Sequence, residues 1–103
     1  MNRIEQSAVS RHRRERAEEI CRKMEELSGF NPTAETRKRG VVTCRVMVSY
    51  VLLLEGWTEH QVGCVLGWDH STINHYRRKF EDMMTQPGYE YERELWNKFK
   101  QAI

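Results

Sequence analysis

The stretch Val41–Leu54 limits the fold of this 103-residue chain more than any other. It is rich in β-branched residues, so periodicity alone does not exclude a strand. Its length favours a helix. On a helix, Arg45 and Ser49 fall on one side, while Val42, Val46, Met47, Tyr50, Val51 and Leu54 fill the others. A helix that is apolar around most of its circumference needs other helices around it. The expected fold is therefore all-α, a small helical bundle with this segment at its centre. The same run carries Arg45 and is too short to span a bilayer. The N-terminus (Met-Asn-Arg-Ile-Glu-Gln) has no apolar signal segment. A cytoplasmic protein without a membrane partner is expected.

The flanking segments supply the surrounding helices. Residues 1–29 read as a helical extension, one long helix or two short ones. Ile20, Met24 and Leu27 form a narrow apolar stripe beside Ala17 and Cys21, and Ser28-Gly29 forms a stop. The remainder mixes Arg and Glu, which reads as a solvated face. The sharper alternative is a phosphate-contacting element through Arg11, Arg13 and Arg14. Residues 87–103 read as a C-terminal amphipathic helix, with Leu95, Trp96, Phe99 and Ile103 on one face. So short a helix must dock, on its own domain or on a partner.

Residues 30–86 hold the most informative pattern. Phe30-Asn-Pro32 ends the first helix, and a polar loop runs into Arg37-Lys38-Arg39. After Glu55-Gly56-Trp57, the tetrad Thr58-Glu-His-Gln61 matches a capping box. The short helix that follows stops at Gly67, and Asp69 or His70 opens the next, which runs to about Met84. Short helix, glycine turn and second helix make a helix-turn-helix. On the second helix, Ile73, Tyr76, Phe80 and Met84 are expected to bury. Ser71, Asn74, His75, Arg78 and Asp82 face outward, with Thr72 and Lys79 at the flanks. Short polar side chains at the first turn let a helix approach base edges, and cations further along reach phosphates. Net charge is only +2, but residues 30–50 sum to +3 and residues 81–103 to −2. The positive charge is local, at Arg37–Arg39 and Arg45 and again at Arg77–Lys79, which fits a phosphate footprint.

Gly67, Asp69, His70, Ser71, Thr72, His75, Arg78 and Lys79 together resemble the C-terminal DNA-binding domain of the bacterial replication initiator DnaA. That family carries Gly-x-Asp-His-Ser/Thr-Thr running into His-x-x-Arg-Lys. Arg37, Arg39 and Arg45 match its upstream basic positions, and the looser resemblance covers Arg37–Met83. The resemblance implies sequence-specific binding of double-stranded DNA at a replication origin or regulatory site. Asp69, His70, Ser71 and Thr72 would read bases in the major groove, joined by Asn74 from the helical wheel. Arg45 would enter the adjacent minor groove. Arg37, Arg39, Arg78 and Lys79 would hold phosphates, with Lys38 and His75 beside them. Trp68, Thr43-Cys44, Asn74 and Arg77 depart from the family pattern. Trp68 is where specificity, or orientation on DNA, is expected to differ.

Other classes fare worse. No Gly-x-x-x-x-Gly-Lys-Ser/Thr loop is present, so neither nucleotide binding nor ATP-driven melting is expected. Cys21, Cys44 and Cys64 share no Cys-x-x-Cys spacing and read as small buried hydrophobes. His60 and Cys64, or His70 and Cys64, lack a convincing third metal ligand. No nucleophile–base pattern or paired carboxylates point to catalysis. No catalytic residue, metal or cofactor is therefore expected. The competing reading is a protein-interaction adaptor. Its terminal helices would bind replication proteins or a second copy through Leu95, Trp96 and Phe99.

Overall fold

The computed structural model describes residues 9–103; residues 1–8 of the expected N-terminal extension lie outside the described residues. Five helices follow in order: α1 (Arg11–Ser28), α2 (Arg39–Leu54), α3 (Glu59–Leu66), α4 (His70–Thr85) and α5 (Glu90–Ala102). The described residues contain no strand, so the fold is all-α.

The central helix is α2, and α1, α3 and α4 pack around it. It buries Val46, Met47, Val48 and Leu52 completely. The side expected to be polar is buried as well, with Arg45 at 1% and Ser49 at 0% exposure. Leu54, expected on the apolar side, is exposed at the end of the helix. Helix α1 is one continuous helix, begun by Ser10, whose side chain accepts from the Arg13 N–H. It ends at Gly29, which takes the left-handed conformation that glycine adopts without a Cβ penalty. Its buried stripe is Ala17, Ile20, Cys21 and Met24. The stripe stops one turn short of the helix end, and Leu27 is exposed.

The α3–turn–α4 unit is fixed by local chemistry. The Thr58 Oγ1 accepts from the Gln61 N–H at 3.1 Å, and the Thr58 N–H donates to Gln61 Oε1 at 3.0 Å. These two bonds satisfy amides that a helix start leaves without partners. At the other end, the N–H groups of Gly67 and Trp68 both donate to the Gly63 carbonyl at 2.8 Å. The turn is so tight that a Cβ on Gly63 would collide with the Trp68 carbonyl oxygen. Gly63→Ala should therefore destabilise the fold by about 1–3 kcal/mol despite its better helix propensity, because backbone has to move. Urea unfolding checks this; a stabilised variant would mean that the turn yields freely.

Helix α4 buries Ile73, Tyr76, Phe80 and Met83. Met83 takes the place expected for Met84, which is only half-buried. The core therefore continues at the i+3 position after Phe80, not at i+4. Helix α5 docks on α1 and α4. Phe80 stacks on Tyr50 with centroids 3.7 Å apart and meets Trp96 edge-on at 4.7 Å. Leu95, Trp96 and Phe99 are all buried in this cluster. They belong to the chain's own core, so of the two readings for this helix the structure shows docking on its own domain. The Arg93 guanidinium donates to the Met83 and Gln86 carbonyls at 2.9 Å, and Lys23 donates to the Ala102 carbonyl at 2.6 Å.

Cys21 and Cys44 are buried, and burial pushes the Cys21 thiol up to about 12. Cys64, expected to be buried, is exposed, because Val62, Val65 and Leu66 form the inward side of α3. Among the described residues, no helix is long and apolar enough to cross a membrane.

Candidate nucleic-acid interface

The first turn of α4 is built by Asp69. Its Oδ1 accepts from the Ser71 N–H at 2.9 Å and from the Ser71 hydroxyl at 3.0 Å. These two bonds, the backbone one first, hold the carboxylate below its ordinary pKa, with His70 adding a smaller electrostatic effect. It is therefore ionised at neutral pH and complements the helix macrodipole. His70 Nδ1 lies 3.3 Å from Asp69 Oδ1. Asp69, His70, Ser71, His75 and Arg78 are exposed, and Thr72 and Asn74 are half-buried.

Asn74 sits in a relay that sequence reasoning missed. Its side-chain amide donates to Glu59 Oε2 at 2.9 Å, and its carbonyl oxygen accepts from Arg78 at 2.8 Å. Glu59 also lies 3.6 Å from Arg77. Glu59 thus ties the start of α3 to the middle of α4, and Asn74 aims Arg78. The only sequence signal for Glu59 was its place inside the capping box.

On the opposite flank of α4 lies a cleft of about 300 Å³ lined by Arg37, Arg39, Val42, Thr43, Lys79, Met83 and Tyr89. Lys79 donates to the Tyr89 hydroxyl at 2.9 Å, which fixes its ammonium at the rim. Arg39 meets the buried carboxylate of Glu92 at 3.4 Å yet remains 77% exposed. Arg37 and Lys38 are exposed. The basic loop and the flank of α4 thus bring three of the expected phosphate contacts to one concavity, with Lys38 alongside.

Arg45 is not with them. The guanidinium is buried. Its Nε donates to the Pro32 carbonyl at 3.1 Å, and Nη2 donates to the carbonyls of Ala34 at 2.6 Å and Thr36 at 3.1 Å. Nη1 donates to the Tyr76 hydroxyl at 3.2 Å, and the Trp68 ring covers the plane at 4.2 Å. The minor-groove contact expected for Arg45 is thereby corrected. Four of its five N–H donors are engaged within the fold and the side chain is only 1% exposed, so it does not reach the surface where DNA would lie. Its role is to hold Pro32–Thr36, the segment that leads into Arg37–Arg39. Trp68 likewise turns inward onto Arg45 and is half-buried.

No family model matches the chain. Searches of curated proteins and of solved structures return no significant match either. Among the described residues, no group of three or more His, Cys, Asp or Glu side chains could hold a metal ion. His60 Nε2 and Cys64 Sγ do approach to 3.6 Å.

Proposed function

We propose that this chain binds double-stranded DNA sequence-selectively, with α4 as the reading helix of a helix-turn-helix. The observation that carries the reading is the pairing of two surfaces along one helix. An exposed polar helix start (Asp69, His70, Ser71) is followed, about two and a half turns further along α4, by a cationic cleft (Arg37, Arg39, Lys79). Short polar groups at the end of a helix suit base edges in the major groove, and cations at its flank suit a groove wall of phosphates. The resemblance to the DNA-binding domain of DnaA assigns the same roles to the same positions. In this reading Asp69, His70, Ser71 and Thr72 face bases, and Asn74 orients Arg78. Arg37, Lys38, Arg39, His75, Arg78 and Lys79 hold phosphates. The target is a replication-origin or regulatory site.

Selection of bound sites from random duplex DNA tests this directly. A consensus should emerge, and His70→Ala should weaken binding to it about ten- to a hundredfold while leaving mixed-sequence binding nearly unchanged. With about four to six phosphate contacts, log affinity should fall against log salt with a slope of about −4 to −5. A shallow slope together with no recovered consensus would remove DNA binding as the function.

A further inference from the structure

Helix α3 meets α4 on the flank that carries Asn74 and Arg77, opposite the flank that carries Lys79 and the basic cleft. Beyond α3 lies a second concavity, of about 370 Å³, lined by Val9, Ser10, Arg13, His60, Gln61 and Cys64. It shares His60 and Cys64 with the hollow that reaches Asp69 and His70 at the start of α4. A continuous surface therefore runs from the reading helix, across α3, to the first turn of α1.

Three arginines in the first two turns of α1 differ in their surroundings. Arg11 is paired with Glu15 at 3.0 Å. Arg16 is engaged by Glu55, with Glu19 at 3.1 Å. Arg13 makes no ion pair within the described residues; its guanidinium rests over the Trp57 ring at 5.0 Å. A ring holds a guanidinium in place without neutralising it, and the outward donors stay available to an anion. His60 is exposed on the same concavity and offers a further ring nitrogen.

We infer that Arg13 and His60 form an outlying phosphate contact, which takes the backbone of the same duplex beyond the strand wall opposite the basic cleft. This rests on the DNA-binding reading above and extends it, because α1 lies outside the stretch that resembles DnaA. The bundle would then hold DNA on both sides of α4, with α1 lengthening the footprint into flanking sequence that it does not read.

The test compares wild type, Arg13→Gln, Arg13→Lys and His60→Gln on two duplexes that carry the selected site. One ends at the consensus and the other extends about one helical turn (~10 base pairs) on each side. Wild type should bind the longer duplex more tightly. Arg13→Gln should lose that advantage, weaken binding about three- to tenfold and reduce the magnitude of the salt slope by about one, on consensus and mixed sequence alike. Arg13→Lys should restore binding, since an ammonium serves a phosphate as a point charge. Circular dichroism checks folding. If Arg13→Gln is unfolded, His60→Gln decides, with a smaller loss that again affects only the longer duplex. Wild type binding both duplexes equally, or Arg13→Gln and His60→Gln binding as wild type, overturns the inference and leaves the reading helix standing. A wild-type protein that binds no duplex overturns both.

Discussion

Arg45→Met should lower the unfolding free energy by about 3–5 kcal/mol, the largest effect expected of any single substitution in this chain. The replacement keeps the buried unbranched stem but removes the guanidinium, and with it every donor, from a site where three loop carbonyls and the Tyr76 hydroxyl now accept. Hydrogen bonds to a charged group are stronger than neutral ones, and acceptors left without a donor in a buried site add their desolvation cost. Part of that cost returns as water reaches the loop, which keeps the figure below the sum of four bonds. Arg45→Lys should recover only part of the loss, because one ammonium cannot reproduce the planar fork or its stacking on Trp68. Urea unfolding followed by tryptophan fluorescence measures both variants. A change of under about 1 kcal/mol for Arg45→Met would show that the loop is held by something else.

The second large effect is expected from the proposed DNA binding. Arg37→Gln, Lys38→Gln and Lys79→Gln combined should reduce the magnitude of the salt slope by about three and weaken binding about a hundredfold or more at low salt. The loss should be nearly the same for consensus and mixed-sequence duplexes, because phosphates carry no sequence. Arg39 is left in place deliberately. It is the ion-pair partner of the buried Glu92, and removing it would confound binding with folding. Titration by fluorescence anisotropy over a range of salt concentrations gives slope and affinity together. An unchanged slope would place the phosphate contacts elsewhere on the molecule.

How far the sequence could be read depended on whether a feature was local. The capping box at Thr58 and Gln61, the stop at Gly67 and the cap at Asp69 are decided within a few residues, and each forms where expected. The central place of α2 followed from its apolar circumference, and the self-docking of α5 was one of two readings left open. Contacts across the fold were harder to see. Arg45 looked like a surface cation on the polar side of a helix. The carbonyls that bury it come from a loop 9 to 13 residues earlier in the chain. Asn74 was expected to read a base; that Glu59, 15 residues away, takes one of its amide donors was not visible. Met83 and Met84 are adjacent and chemically identical, so only the angle at which α4 meets the bundle distinguishes them. The exposure of Cys64 also depends on how α3 is rolled against α2 and α4.

The way Arg45 grips its loop also bears on how the loop can vary. Its anchor points there are the main-chain oxygens of Pro32, Ala34 and Thr36, which every amino acid possesses. The path that delivers Arg37–Arg39 to the cleft is therefore held largely from helix α2, with the Asn31 and Thr36 side chains accepting from the backbone N–H groups of Thr33 and Lys38. In an engineering setting the segment is an exchangeable cassette. The residue identity at 34 can be rewritten, and with it the chemistry presented beside the cleft, while the attachment stays where it is; at 36 a hydroxyl is needed for the bond to the Lys38 N–H.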